Sequence, residues 1–365
     1  MSTVETVADA GEPLVLAQRA DLQSFLGLSL KNGLLNLVTL TLYRFWGKTE
    51  VRRRVWSSTY LNDEPFEYTG RGIELFLGFL IVLVVVALPF LLIVFGAQLL
   101  GPGPAAAILL PLYAILLLLV GFGRFTAFRY LASRTSWRGV RFLLHGEAWK
   151  YASRFLGYVL LSVVTLGWFW PAAARHLAAP LWGGLRFGDR SFHFDLDAAR
   201  REKLYGAYAI GWVGMIVAYL LMLAGSFAYV MGRVSRDGAV PELTLAETMV
   251  SYAIYGVLVL VYVVVFAPYR AAVLRSVTAG IGMEGVRFRM NVKWTEVARL
   301  SLGNVVLVTL SLGFLMPFVQ ARVAKFLIQR LDAEGGVAFT TIRQAADAGP
   351  RTGEGLADAF DLSPI

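Results

Sequence analysis

The side chains best able to do chemistry are basic and fall in three clusters. They are Lys48, Arg52, Arg53 and Arg54; Arg124, Arg129, Arg134, Arg138 and Arg141; and Arg270, Arg275, Arg287 and Arg289. Guanidinium groups bind phosphate bidentately, so arginine rows at helix ends can clamp lipid phosphates or another anionic ligand. Arg52, Arg53, Arg124, Arg129, Arg141, Arg270, Arg275 and Arg287 are the candidate contacts on that reading. Positive charge of the kind that cytoplasmic loops accumulate accounts for the same residues. What raises the specific reading is repetition: Arg124, Arg129 and Arg141 recur as Arg270, Arg275 and Arg287.

No other constellation points to catalysis. There is no cysteine, so there is no thiolate ligand or nucleophile, and His145, His176 and His193 are far apart without clustered carboxylates. A zinc site needs three or four matched ligands. No phosphate-binding glycine loop and no Ser/His/Asp arrangement stands out. No enzyme activity, cofactor or metal is therefore expected.

The elements that would hold the arginines are apolar. Of 365 residues, 57% are hydrophobic and 16% charged, with a mean hydropathy of +0.61. A soluble domain carries about 25% charged residues, so the chain reads as a polytopic membrane protein. Its net charge of +9 fits cytoplasmic loops beside a bilayer better than nucleic acid. From Glu74 to Arg124 no charge interrupts the sequence, but Gly101-Pro102-Gly103-Pro104 marks a turn, giving a helical hairpin. Lys203–Arg233 and Glu247–Arg270 enclose a second pair. Each of the four stretches is long enough for a hydrocarbon core of about 30 Å.

Three shorter apolar segments, Gly33–Trp46, Leu156–Pro171 and Leu302–Pro317, share a pattern. They carry Thr41-Leu42, Thr165-Leu166 and Ser311-Leu312, and the last two keep Gly167 and Pro171, and Gly313 and Pro317, as breaks. A shift of 146 residues aligns Phe122–Pro171 with Pro268–Pro317 without a gap and with fourteen identities, the mark of an internal repeat. The expected units are 21–148, 149–293 and a partial 294–344, between a disordered lead 1–20 and a disordered tail 345–365. The lead has no apolar core of the signal-peptide kind. Polar linkers at Tyr60–Tyr68, Leu185–Phe194 and Gln329–Thr341 have strand character. The expected fold is an all-α polytopic membrane protein with tandem repeats and small cytoplasmic β-hairpins.

Charge sets the topology. If only the four long stretches cross, the outer tips hold Arg233 and Arg236 and the rest of the 34 basic residues lie inside. The N-terminus is then cytoplasmic, and the short segments re-enter or lie at the surface, a backbone path tolerated only where protein or water covers it. The alternative is six or seven spans, since Leu300–Ala321 is uncharged and long enough to cross.

Leu40-Thr41-Leu42-Tyr43-Arg44-Phe45-Trp46-Gly47-Lys48, then Pro65-Phe66-Glu67-Tyr68-Thr69-Gly70-Arg71-Gly72, resemble the YjgN-like family of bacterial inner-membrane proteins, a domain of unknown function. The resemblance covers about Asp21 to Thr341 and implies an inner-membrane location, with no activity attached. Thr41-Leu42-Tyr43 lacks the glycine kept at Gly167 and Gly313. Two functions follow from the residues. One is a transporter or channel-like protein for a small or lipidic solute, since glycine- and proline-broken segments recur in corresponding positions. The other is a membrane scaffold or envelope-homeostasis protein binding anionic lipid or partners through its basic face. The bilayer and anionic lipids are the expected partners, and no protein partner is indicated.

Overall fold

The computed structural model describes residues 12–237, 244–337, 339 and 342–344. Residues 1–11 of the expected lead, the expected tail 345–365, and 238–243 in the second hairpin tip lie outside the described residues.

Two short strands, β1 (Glu12–Pro13) and β2 (Leu16–Gln18), precede α1 (Leu22–Val38) and α2 (Arg44–Ser57). Then come β3 (Thr59–Leu61), β4 (Glu64–Pro65) and β5 (Glu67–Tyr68). The first long pair is α3 (Gly72–Val82), running through a π turn at Leu83–Ala87 into α4 (Leu88–Gln98), and α5 (Pro102–Ser133). The π turn sits just before Pro89, where the ring removes a donor and crowds the preceding turn. Next are β6 (Thr135–Trp137), β7 (Val140–Leu144), α6 (Ala148–Val164), α7 (Trp170–Trp182), β8 (Leu185–Phe187) and β9 (Arg190–Phe194). A short α8 (Leu196–Arg200) leads to the second long pair, α9 (Leu204–Asp237) and α10 (Leu245–Val265), continued after a break by α11 (Ala267–Gly280). Then follow β10 (Ile281–Met283), β11 (Val286–Met290), α12 (Trp294–Leu310), α13 (Met316–Ile328), β12 (Leu331–Glu334) and β13 (Gly336–Val337).

Among the described residues, four helices are long and apolar enough to cross a membrane: Gly72–Gln98, Pro102–Ser133, Leu204–Ser235 and Leu245–Val265. Nearly all of their apolar windows stay unburied within the protein. α5 has 32 residues, about 48 Å at 1.5 Å per residue, well beyond a 30 Å core. Most of its buried residues fall in its last third, from Gly121 to Ala132. That end packs inside the protein.

The expectation of an all-α protein with separate hairpins is corrected. Strands β5 to β12 join in sequence order into one eight-stranded antiparallel sheet, and β2, β3 and β4 form a three-stranded one. A lone hairpin is marginal in water and exposes unpaired edges; pairing neighbour to neighbour removes most of them. β4 and β5 are separated by Phe66 alone, and β12 lies against β2, so the two sheets nearly close into a ring. Four turns are two-residue loops, with Leu61 opposite Glu64, Trp137 opposite Val140, Phe187 opposite Arg190 and Met283 opposite Val286. Asn62-Asp63, Arg138-Gly139 and Glu284-Gly285 take positive φ at both positions, the primed turn that matches strand twist.

The helices are insertions between neighbouring strands of this ring. α1 and α2 leave β2 and return to its partner β3; α6 and α7 leave β7 and return to β8; α12 and α13 leave β11 and return to β12. The long pairs do the same between β5 and β6 and between β9 and β10. Short and long pairs alternate, and the pairs pack in order: α5 on α6, α7 on α9, α10 on α12, α13 on α1, and α2 on α3.

The short pairs share one turn. α1, α6 and α12 each have 17 residues. Each ends with a bond spanning five residues back: Thr41 N to Asn36 O, Gly167 N to Ser162 O, and Gly313 N to Val308 O. This is the Schellman helix end, which needs a left-handed residue. The hydroxyls of Thr39, Thr165 and Ser311 then accept from Tyr43 N, Phe169 N and Leu315 N at 3.0–3.1 Å, starting the next helix. The first turn therefore uses Thr39-Leu40-Thr41, two residues earlier than the sequence pattern placed it. The doubled Thr-Leu of this segment offers both registers.

Thr41 thus occupies the glycine position at φ 69°, a costly conformation for a β-branched residue. Thr41→Gly is expected to stabilise the protein by about 1 kcal/mol. Gly313→Ala, with φ 86° and open space around its Cβ position, should lose about the same. Gly167→Ala should lose more, because its Cβ would lie 2.8 Å from the Tyr208 hydroxyl oxygen. Melting temperatures in one detergent give the order; equal losses for the two alanine variants would contradict it.

Candidate functional site: an apolar chamber under the helix ring

Five helices descend onto the strand ring: α2, α5, α7, α11 and α13. Each ends directly before a strand, so their last turns and the strands' inner faces enclose a common space. The main cavity there measures about 540 Å³. Its walls include Leu61, Phe142 and Phe288 from strands, Trp182 from α7, Leu274 and Val277 from α11, and Leu327 from α13. Thr278 is the one hydroxyl-bearing side chain among its lining residues. A second cavity of about 310 Å³ shares Phe66, Phe142, Trp182, Leu185, Leu327 and Ile328 as walls and extends to Val55 and Phe128. These volumes suit a small ligand, and the lining suits an apolar one.

The far end of the chamber is closed by both ends of the described chain. β1 pairs with β13, which brings Leu14 to the chamber wall. Phe339, 7% exposed, meets the Trp137 ring edge-on at 4.9 Å. The segment beyond is tied to two hairpin tips, through Asp189 N to Arg343 O at 3.0 Å and Arg141 N to Gln344 Oε1 at 2.8 Å.

The arginines surround this assembly and are not gathered at one point. Arg129 donates to the Gly146 carbonyl, and Arg275 donates to the Val292 carbonyl at 2.8 Å. These are the same bond 146 residues apart, and Arg275 also pairs with Glu202. Arg124 and Arg270 sit five residues earlier, over the rings of Phe155 and Tyr262 at 5.5 and 5.2 Å. Arg52 is 4% exposed and reaches the Tyr68 hydroxyl at 3.3 Å, a packing position. Arg53, Arg141 and Arg287 are exposed. Arg275 and Arg287 do meet, in a groove of about 380 Å³ on the outer side of β9–β11 that also holds Arg201 and Arg289. Pro171 and Pro317 fall in the first turn of α7 and α13, where a missing donor costs nothing.

The three histidines remain apart, and among the described residues no group of three possible metal ligands forms. Partial burial, with like charge from Arg200 and Arg175, lowers the His176 pKa from its ordinary value.

Sequence reasoning missed the chamber. Trp137 is 1% exposed and Trp182 lines the cavity, whereas Trp149 and Trp294 are half-exposed. Sequence reasoning also missed the β6–β7 and β10–β11 hairpins. The signal was present as alternating apolar residues either side of Arg138-Gly139 and Glu284-Gly285, less familiar forms of the Asn-Gly turn.

A family profile described as "Bacterial protein of unknown function (DUF898)" matches residues 16–359. The chain belongs to the DUF898 family. Inner membrane protein YjgN of Salmonella typhimurium (strain LT2) is similar, at 30% identity over 115 residues. That stretch is 32% of this DUF898 chain and 27% of the Salmonella protein, so the match spans about a quarter of the relative's length. No solved structure matches the chain.

Proposed function

We propose that this is a multi-pass inner-membrane protein, with four spans and a cytoplasmic N-terminus and strand ring, that takes a lipidic solute into the chamber beneath its helices. The observation that carries the reading is the chamber itself, about 540 Å³ of apolar lining with one hydroxyl. Buried apolar surface of that kind favours an acyl chain over an ion or a sugar. The inner-membrane location is supported by the name of the Salmonella relative and by four apolar helices. The short pairs are re-entrant on this reading. Their tips carry exposed apolar residues, with Leu40, Leu166 and Leu312 at 84%, 74% and 88% exposure. The second pair's tip is held by Trp212, whose Nε1 donates to Leu166 O at 3.0 Å. Trp212 is eight residues into α9, about 12 Å along its axis, too shallow for a crossing.

The scaffold reading keeps one observation in its favour, the exposed Arg53, Arg141 and Arg287, which suit anionic headgroups. The basic charge serves the membrane surface and not nucleic acid on either reading, and neither requires a catalytic step, a metal or a cofactor.

Fluorescence titration of the purified protein with cis-parinaric acid tests the chamber. One saturable site per chain is expected. Leu274→Trp or Val277→Phe fills the space and should weaken binding about tenfold, close to 1.4 kcal/mol. Absent saturation, or binding untouched by both substitutions, would contradict the proposal.

A further inference from the structure

A separate pocket, about 360 Å³, lies between the first and third short pairs. Asn32 and Asn36 on α1, Arg44 and Lys48 on α2, and Gln320 on α13 supply its polar groups, with Phe314 of the third turn beside them. Three observations ask for a ligand here. Asn32 is 4% exposed, and its Oδ1 has no hydrogen-bond donor. Its Nδ2 faces the Gly47 carbonyl at 3.5 Å, which fixes the amide's orientation. Asn36 Oδ1 is likewise buried without a donor. Buried acceptors are costly unless a donor reaches them.

Among the described residues no carboxylate lines the pocket, and the nearby Glu50 is held by Lys31 at 2.9 and 3.1 Å. Arg44 has no carboxylate partner among the described residues. Its guanidinium rests over the rings of Phe45 and Phe79 at 4.8 and 4.7 Å, a placement that orients it without neutralising it. Its exposed side chain keeps the pocket open on one side.

We propose that this pocket binds a phosphate ester that also carries a hydroxyl or ammonium donor. The phosphate lies against Arg44, and the donor reaches the amide oxygens of Asn32 and Asn36. A glycerol or ethanolamine phosphate meets both demands; a choline phosphate meets only the first, because its quaternary nitrogen has no hydrogen to give. The outer face of α1 carries exposed Leu26, Leu30, Leu34 and Leu37, an apolar stripe that places the pocket beside acyl chains and favours a lipid as the bearer. This site is distinct from the apolar chamber, with the packed layer of Val51, Val55, Ala321 and Ala324 between them.

The test is calorimetric titration of the full chain in neutral detergent with three probes: dihexanoyl phosphatidylglycerol, dihexanoyl phosphatidylcholine and sn-glycerol 3-phosphate. Saturable binding of the phosphatidylglycerol, at least tenfold tighter than the phosphatidylcholine, is expected. Arg44→Gln should weaken it at least tenfold, with Arg44→Lys retaining most of it. Asn36→Leu should shrink the preference between the two lipids and keeps the test decisive if Arg44→Gln folds poorly. Arg289→Gln, in the outer groove, should change nothing. Glycerol phosphate binding as tightly as the lipid would identify a soluble ester as the source; weaker binding would identify the membrane. Equal binding of the two lipids, or binding indifferent to both Arg44→Gln and Asn36→Leu, overturns the proposal.

Discussion

Trp137→Ala is expected to cost about 3–5 kcal/mol, the range for truncating a buried aromatic. Trp137 is 1% exposed at the end of β6. It meets Phe187 at 5.9 Å and Phe339 at 4.9 Å, and its Nε1 donates to Glu64 O at 3.2 Å. Its removal opens the strand ring where Phe339 packs on it and removes the donor to the Glu64 carbonyl. The damage should stay on the sheet side. Thermal unfolding should fall sharply while the helical circular dichroism at low temperature is kept. A variant with unchanged melting temperature would mean that the closure is not part of the stable core.

Gly33→Ala should also destabilise strongly, although alanine is the better helix former by about 1 kcal/mol. A Cβ at Gly33 would lie 2.2 Å from Cδ1 of Phe314, so the ring must leave its place. Overpacking of this kind costs about 1–3 kcal/mol, and here it separates the first turn from the third. The bond from Phe318 N to Ser29 Oγ, 3.1 Å long, joins the same pair of elements and would be strained with it. Phe314→Ala should rescue Gly33→Ala, because the two substitutions act on one contact. Additive losses in the double variant would show that Gly33 matters for another reason.

Much of the membrane half was legible in the sequence. Uncharged runs bounded by Glu74, Arg124, Lys203 and Arg270, and the turn at Gly101–Pro104, gave the long helices close to where they lie, because a bilayer demands length and apolarity and little else. The arginine repetition raised the reading as anion contacts, whereas Arg129 and Arg275 make equivalent bonds to backbone carbonyls. The sheet was harder. Its strands are two to five residues long and become stable only by pairing with neighbours up to about 90 residues away in sequence, as Phe194 does with Ile281. No local pattern states that pairing. The chamber was illegible for the same reason, since its walls come from strands and helix ends spread from Leu14 to Phe339. The polar pocket escaped because no sequence pattern states that Asn32 and Asn36 on α1 come together with Arg44 and Gln320 and keep amide oxygens without a donor.

On the proposed topology, every helical pair leaves and re-enters one strand ring on one side of the membrane. Cysteine accessibility tests it most directly, since the native chain has no cysteine. Single cysteines at Leu100, Arg138, Leu166, Glu284 and Leu312 would be treated with a membrane-impermeant maleimide in intact cells and after permeabilisation. Leu100→Cys should be labelled from outside, Arg138→Cys and Glu284→Cys only after permeabilisation, and neither Leu166→Cys nor Leu312→Cys in intact cells. Labelling of either of those two tips from outside would contradict the proposed topology, because the short pairs would then cross the membrane.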